Sequence, residues 1–135
     1  MRKDDCIFCK LANGEIPTNS IYEDEDFNVI LDMGPASRGH ALILPKEHAD
    51  NLLELPEETA SKVLPLAKKL AIRMKERLMW DGFNLVQNNG ETAGQTVMHF
   101  HLHLIPRYKE DGQHINWIPQ NPSAEELAQL RDILK

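Results

Sequence analysis

Three histidines at alternate positions, His99, His101 and His103, constrain this chain more than any other feature. Successive side chains of a β-strand point to opposite faces, so residues two apart share one face. A strand running from His99 to Ile105 therefore carries three imidazoles on one side. Phe100, Leu102 and Leu104 lie on the other, toward a core, and Pro106 stops the strand. A row of imidazoles is costly as scaffolding. Each buried ring needs partners for both nitrogens, and neighbouring rings repel once protonated. The row is therefore read as a site of chemistry.

The rest of the chain supplies a frame for that strand. Cys6 to Ala12, preceded by Asp4 and Asp5 and followed by Asn13-Gly14, reads as a short helix with an acidic start and a glycine stop. Ser20-Ile21-Tyr22 and Phe27 to Leu31 flank the acidic turn Glu23 to Asp26, which predicts a hairpin. Ala41 to Leu44 is a third strand, stopped by Pro45. A long helix follows Pro56. Its residues Ala60, Val63, Leu64, Ala67, Leu70, Ala71, Met74 and Leu78 recur at helical spacing on one face. Pro65 lies inside that pattern and predicts a kink or a split. Phe83 to Gln87 is a fourth strand, and Asn88 to Gly94 a polar, glycine-rich loop. Ser123-Ala124-Glu125-Glu126 has the form of a capping box and predicts a short C-terminal helix. The element order implies an α+β domain: a mainly antiparallel five-stranded sheet, one long helix and short terminal helices. The 135 residues fit one domain, with 107–135 as a tail and short helix.

Charge and cysteine content narrow the function classes. Fifteen basic against twenty-one acidic residues leave a net charge of -6, which argues against a nucleic-acid backbone as partner but not against a small nucleotide. Two cysteines are too few for a secreted disulfide scaffold, and no apolar run approaches a membrane span of about 20 residues. A cytoplasmic protein is expected, with no membrane partner.

Several other residues have metal-ligand or donor chemistry. Cys6 and Cys9 lie one helical turn apart and can chelate one ion, with histidines completing a closed set. Nothing of strand character precedes them, so a thioredoxin-type redox pair is disfavoured. His40 follows Arg38-Gly39 and His48 follows Pro45-Lys46-Glu47. A lone histidine at such a place is more often a surface residue than a ligand. His114 lies in a polar tail and receives no role. The loop entering the histidine run offers backbone N–H groups with Asn88, Gln95 and Thr96, a combination suited to anionic oxygens.

The run Gly94-Gln95-Thr96-Val97-Met98-His99-Phe100-His101-Leu102-His103-Leu104-Ile105 resembles the defining motif of the histidine triad (HIT) family. The likeness extends to Cys6-Ile7-Phe8-Cys9-Lys10, Tyr22-Glu23-Asp24, Leu31-Asp32, Gly39-His40, Ile43 to Lys46, His48 and Asn88-Asn89-Gly90. Only about the last twenty-five residues fall outside it. The resemblance implies a homodimer of α+β domains that binds purine nucleotides and hydrolyses or transfers a nucleoside monophosphate. It implies that His101 is the nucleophile, forming a nucleotidyl-histidine that water then breaks. Asp32 would hold the ribose hydroxyls. Phe8, Leu11 and Ile30 would line the base pocket, and Asn88, Gln95, Thr96 and His103 would surround the phosphate. His40 would be an active-site histidine near the nucleophile. One branch of the family carries structural zinc, and Cys6, Cys9, His48 and His99 match all four of its ligands.

The chemistry of those residue types agrees with the implied roles. Neutral imidazole is a competent nucleophile near neutral pH, provided its other nitrogen donates to a fixed acceptor such as a carbonyl. The expected substrates are dinucleoside polyphosphates or nucleoside phosphoramidates. The segment His103 to Arg107 resembles the dinucleoside polyphosphate side of the family and tilts the reading that way. Two other readings stand beside it. One is a metallohydrolase with a catalytic zinc on the triad, although i, i+2 and i+4 span about 13 Å of strand. The other is a purine nucleotide-binding module without useful catalysis. Adenine or guanine preference is open.

Overall fold

Residues 2–135 are described in a computed structural model of the chain. In chain order they form α1 (Ile7–Ala12), β1 (Ser20–Glu23), β2 (Phe27–Leu31), β3 (Ala41–Pro45), α2 (Glu57–Leu78), β4 (Gly82–Val86), a single 3-10 turn at Glu91–Ala93, β5 (Leu102–Arg107) and α3 (Ala124–Leu134). The five strands make one sheet in the order β1-β2-β3-β5-β4, and every neighbouring pair is antiparallel. This is the α+β architecture expected from the element order.

The alternation of side chains sorts the sheet into two faces. Phe27 and Val29 of β2, Ala41 and Ile43 of β3, and Leu102 and Leu104 of β5 join the core under α2. Ile30, Leu42 and Leu44 face the other way and pack with Ala12, Phe8 and Leu11 of α1. His103 pairs with Leu42 in register, so the histidines share the α1 face with the two cysteines. Two side-chain amides, half-buried Asn13 and buried Asn28, tie α1 down. Asn13 donates to the Cys9 and Lys46 carbonyls at 2.8 and 3.1 Å, and Asn28 donates to the Leu11 carbonyl at 3.3 Å.

Four local expectations differ from the structure. The helix α2 runs unbroken through Pro65. Pro65 and Ser61 are exposed, so water can satisfy the carbonyl that proline leaves without a donor. The buried Val63, Leu66, Leu70 and Met74 hold both halves in line. A helix-interior proline costs about 3 kcal/mol, against about 1.5–3 kcal/mol for each of those four burials. Leu64 shares the helical spacing of the apolar face but is exposed, and Leu66 is buried in its stead. The first turn of α1 carries no acid; Cys6 is the N-cap, and its sulfur accepts from the Cys9 N–H at 3.3 Å. The polar, glycine-rich loop after β4 is not wholly irregular: it contains the 3-10 turn, closed by the Gly94 N–H donating to the Glu91 carbonyl.

The most consequential difference lies in the histidine strand. β5 begins only at Leu102 and continues through Pro106 to Arg107. Pro106 pairs with Phe83 of β4, but its carbonyl faces the β3 side, where it accepts from the Ser37 hydroxyl. The β3 ladder has already ended at Leu104, so no strand on that side needs an N–H from position 106. His99 lies in a bend and His101 immediately before the strand. The side-chain alternation nonetheless extends back through them. Phe100 enters the core, and its N–H donates to the Ala49 carbonyl at 2.7 Å.

The loop into β3 turns at Gly39, whose φ is +92°. An added Cβ there would sit 2.5 Å from Leu78 Cδ1 and 3.3 Å from Pro106 Cγ. Gly39→Ala combines left-handed strain with overpacking. It is expected to lower the unfolding free energy by about 2–4 kcal/mol, measurable by urea denaturation.

Candidate functional site

Cys6, Cys9, His48 and His99 converge from three separate parts of the chain. One ligand atom from each lies within 4.8 Å of all the others. Cys6 Sγ is 3.4 Å from His99 Nδ1, and Cys9 Sγ is 3.4 Å from His48 Nδ1 and 3.5 Å from His99 Nδ1. Zinc–sulfur and zinc–nitrogen bonds of about 2.3 and 2.0 Å in a tetrahedron require a sulfur–nitrogen edge of about 3.5 Å. The donor atoms are thus already spaced for one tetrahedral ion. Both imidazoles present Nδ1 because Nε2 is engaged elsewhere. His99 Nε2 donates to the Pro45 carbonyl at 2.9 Å, and His48 Nε2 to Asp50 Oδ1 at 2.6 Å. Such outer partners fix the tautomer that a metal needs. Burial also keeps His99 neutral, with its pKa lowered to about 4. All four positions are protein-filled, so the metal here is structural. It would join α1 to the segment that enters β5.

The next two imidazoles are oriented for a different purpose. His101 Nδ1 donates to the His99 carbonyl at 2.7 Å, which leaves the lone pair on Nε2. Phe8 packs edge-on against the ring at a centroid distance of 4.8 Å. His101 is 6% exposed, and burial lowers its pKa, offset partly by the His99 carbonyl and Asp32. His103 takes the opposite tautomer. The Ala36 N–H donates to His40 Nδ1 at 2.9 Å, so His40 carries its hydrogen on Nε2. That hydrogen is directed at His103 Nδ1, 2.9 Å away. His103 therefore accepts on Nδ1 and carries its own hydrogen on Nε2. Burial lowers the His103 pKa to about 4 and the His40 pKa in the same direction, although Asp32 Oδ2 stands 3.5 Å from His40. Asp32, His40 and His103 also converge, but as a hydrogen-bonded series: His40 and His103 spend their facing nitrogens on each other.

These groups open onto a cleft of about 550 Å³ on the α1 face. Phe8, Leu11, Ile30 and Asp32 line it together with Thr96, His101 and His103. Seven of the expected nucleotide-site residues thus share one cavity, whose lining combines apolar side chains with Asp32, Thr96 and the two imidazoles. His40 lies behind His103 and outside the lining. Gln95 and Asn88 are also placed differently from the expectation. Gln95 is buried; its amide nitrogen donates to the Asp50 and Val97 carbonyls at 2.6 and 3.0 Å, and its oxygen accepts from the Gly90 N–H at 2.8 Å. It braces the loop, and it has no amide hydrogen left for a ligand. Asn88 does not line the cleft. Its amide lies against Gly94, where φ is +101° and an added Cβ would come within 3.3 Å of it.

The HIT domain family matches residues 13–110 of this sequence. The chain belongs to the histidine triad (HIT) family. The HIT protein adenosine 5'-monophosphoramidase HNT1 of Saccharomyces cerevisiae is 40% identical over 126 residues, covering 93% of this chain and 77% of its own length. A crystal structure of a HIT family protein from Bacillus anthracis superposes with a TM-score of 0.90 at 41% identity, covering 97% of this chain and 95% of that one. A zinc-bound HIT protein from Mycobacterium smegmatis superposes with a TM-score of 0.77 at 38% identity, covering 96% and 97%. Together with the spacing of the donor atoms, this makes the cofactor of this HIT protein zinc, at Cys6, Cys9, His48 and His99.

Several functional contacts of this HIT domain are absent from the motif. Asp50 orients His48 through its carboxylate and Gln95 through its carbonyl. Its position two residues after His48 is the one signal in the sequence. Ala36 and Pro45 act only through backbone atoms, which side-chain identity cannot reveal. Among the described residues, no helix is long and apolar enough to cross a membrane.

Proposed function

We propose that this protein hydrolyses nucleoside 5'-phosphoramidates and related nucleoside monophosphate derivatives through a nucleotidyl-histidine at His101. The observation that carries this reading is the pair of opposed tautomers in one cleft. His101 offers a lone pair on Nε2 and His103 a hydrogen on Nε2, with ring centroids 5.0 Å apart. A displacement at phosphorus needs both: a nucleophile, and a fixed donor for the charge that develops.

Phe8, Leu11 and Ile30 supply the apolar walls for a purine base, and Asp32 in the same lining accepts from the ribose hydroxyls. His101 Nε2 attacks the α-phosphorus to form the Nε2–P bond, the bond from phosphorus to the leaving nitrogen or oxygen breaks, and the leaving group takes a proton from solvent at the open cleft. The His103 Nε2–H and the exposed Thr96 hydroxyl donate to the phosphoryl oxygens. Water then attacks the phosphorus, the P–Nε2 bond breaks with its electron pair returning to His101, and the water gives one proton to solvent, which releases the nucleoside monophosphate and neutral His101. Gln95 and His40 act as positioning residues. Zinc takes no part in these steps; Cys6, Cys9, His48 and His99 hold it where it steadies the His99 carbonyl that orients His101.

Phosphoramidates are preferred over dinucleoside polyphosphates on two grounds. A 40% identical relative carries the phosphoramidase name. Arg107, a candidate for a longer phosphate chain, is consumed by Asp111, which it binds with two bonds of 2.8 and 2.9 Å, and by Asn84 at 2.9 Å. A turnover panel of adenosine and guanosine phosphoramidates against diadenosine tri- and tetraphosphate tests the assignment. A polyphosphate turned over faster than every phosphoramidate would overturn it.

The pH profile follows from His101. Only its neutral form attacks, and its pKa lies below the usual histidine value of about 6.5. The expected kcat/KM is flat from pH 8 to about 6.5 and falls only at lower pH, as the ring gains a proton. An acid limb centred above pH 7 would contradict a desolvated nucleophile.

The 1–135 chain is proposed as a single domain that self-associates. β4 is an edge strand, and Leu64, Phe83 and Leu85 border an apolar groove of about 550 Å³ between it and α2. Leu64 and Leu85 are 63% and 46% exposed, which suits a second copy against this edge.

A further inference from the structure

The C-terminal half of α2 lines a second cavity, unrelated to the catalytic cleft. Arg73 and Arg77, one turn apart on α2, meet Arg38 of the loop before β3 around a space of about 360 Å³. The floor is apolar and consists mainly of Leu31, Met74 and Leu78. Among the described residues, no carboxylate pairs with any of the three guanidinium groups. Acids are abundant in this chain, and other cations find them: Lys62 pairs with Asp26, Lys46 with Glu23, Arg107 with Asp111. Three like charges left together on one rim repel each other, and a bound anion would relieve that repulsion.

The sheet separates this cavity from the nucleotide cleft. Asp32 and Ile30 line the cleft on the α1 face, whereas the cavity sits against α2, and only Leu31 at the sheet end borders both. A ligand here would occupy ground that the catalytic reading does not use.

We propose that this cavity binds a small soluble phosphate monoester carrying an apolar body. Guanidinium forks match phosphate oxygens in paired hydrogen bonds. A phosphate monoester brings a charge of about -1.5 to -2, which three cations neutralise better than they are neutralised by one carboxylate. The apolar floor takes the body, and the volume lies at the small end of the range for ligand sites, about 300–1,000 Å³. A net charge of -6 opposes approach to an anionic lipid surface, so a free molecule is favoured over a membrane headgroup.

Isothermal titration calorimetry on the zinc-loaded protein tests this with hexyl phosphate, hexanoate and 1-hexanol. Hexyl phosphate is expected to bind once per chain and several-fold more tightly than hexanoate, with no heat from hexanol. The double substitution Arg73→Gln with Arg77→Gln should weaken it by about tenfold or more, and Arg38→Gln alone should also weaken it. Lys68→Gln, an equal charge loss per site elsewhere on α2, should leave it within about twofold. Excess AMP should not displace it. Equal affinity in the arginine variants, displacement by AMP, no binding at millimolar hexyl phosphate, or tighter binding to phosphatidylglycerol vesicles than to free hexyl phosphate would each overturn the proposal.

Discussion

The substitution His101→Ala is expected to cut turnover by about 10⁴-fold or more while leaving zinc content, fold and nucleotide binding in place. The size of the effect follows from the proposed role: no other imidazole in the cleft presents a free lone pair. His103 accepts on Nδ1 from His40 and carries its hydrogen on Nε2, and His99 faces the metal set. The specificity of the effect follows from position. His101 bonds to the His99 carbonyl and packs on Phe8, but it is not among the four metal-site residues. Losing the ring removes one hydrogen bond and two ring contacts, with Phe8 and His103, so a stability cost of about 1–3 kcal/mol is expected, too little to unfold the domain. Rapid quenching with a labelled substrate should trap nucleotide on His101 in the unaltered protein and none in the variant. Substantial turnover by the variant, or a label on another residue, would refute the assignment.

Loss of the metal set is expected to have the largest effect on stability. Cys9 is fully buried, and His99 likewise. Serine at position 9 is a poor zinc ligand and leaves three donors facing one another without an ion. Saturation at about a thousand times Kd contributes about 4 kcal/mol of linked stability, which for a chain of this length corresponds to roughly 10–20 °C in Tm. Cys9→Ser should therefore lose its one zinc per chain and melt lower by about that amount. Hydrogen exchange should accelerate first in α1, which the metal joins to the segment before β5. In the unaltered protein, activity should survive EDTA for as long as the fold does, because the metal supplies no open position. Immediate inactivation by EDTA without unfolding would point to a catalytic metal. A Cys9→Ser protein with full zinc content and an unchanged Tm would remove the structural role.

Much of the α+β frame could be read from local pattern. The hairpin follows β-formers around an acidic turn, the third strand a short apolar run closed by proline, and the long helix a 3.6-residue periodicity, all of which neighbouring residues alone establish. The start of β5 could not be read that way. His99 to His101 alternates like strand, but pairing with β3 begins only at Leu102, and pairing depends on where another segment lies. Pro65 misled for a related reason. A proline's cost depends on whether water reaches the carbonyl it strands, and exposure on the outer side of α2 is set by packing. Gln95 carried the right chemistry for a phosphate donor, yet the loop around it consumes both amide hydrogens.

The composition of the two centres was decided in the sequence itself: thiols one helical turn apart, imidazoles at every second residue, and a polar glycine loop ahead of them. Spacing along the backbone is local, so the thiol pair and the imidazole row follow from residue order, whereas His48 joins the metal set only through folding. Which nitrogen of each imidazole holds the hydrogen was decided only by the tertiary structure. The Pro45 carbonyl and Asp50 turn the Nδ1 atoms of His99 and His48 to the metal, the Ala36 N–H acts through His40 to leave His103 a donor, and the His99 carbonyl, held by that folded segment, leaves His101 its lone pair. A tautomer is a property of the partner across the hydrogen bond, and folding is what supplies the partner.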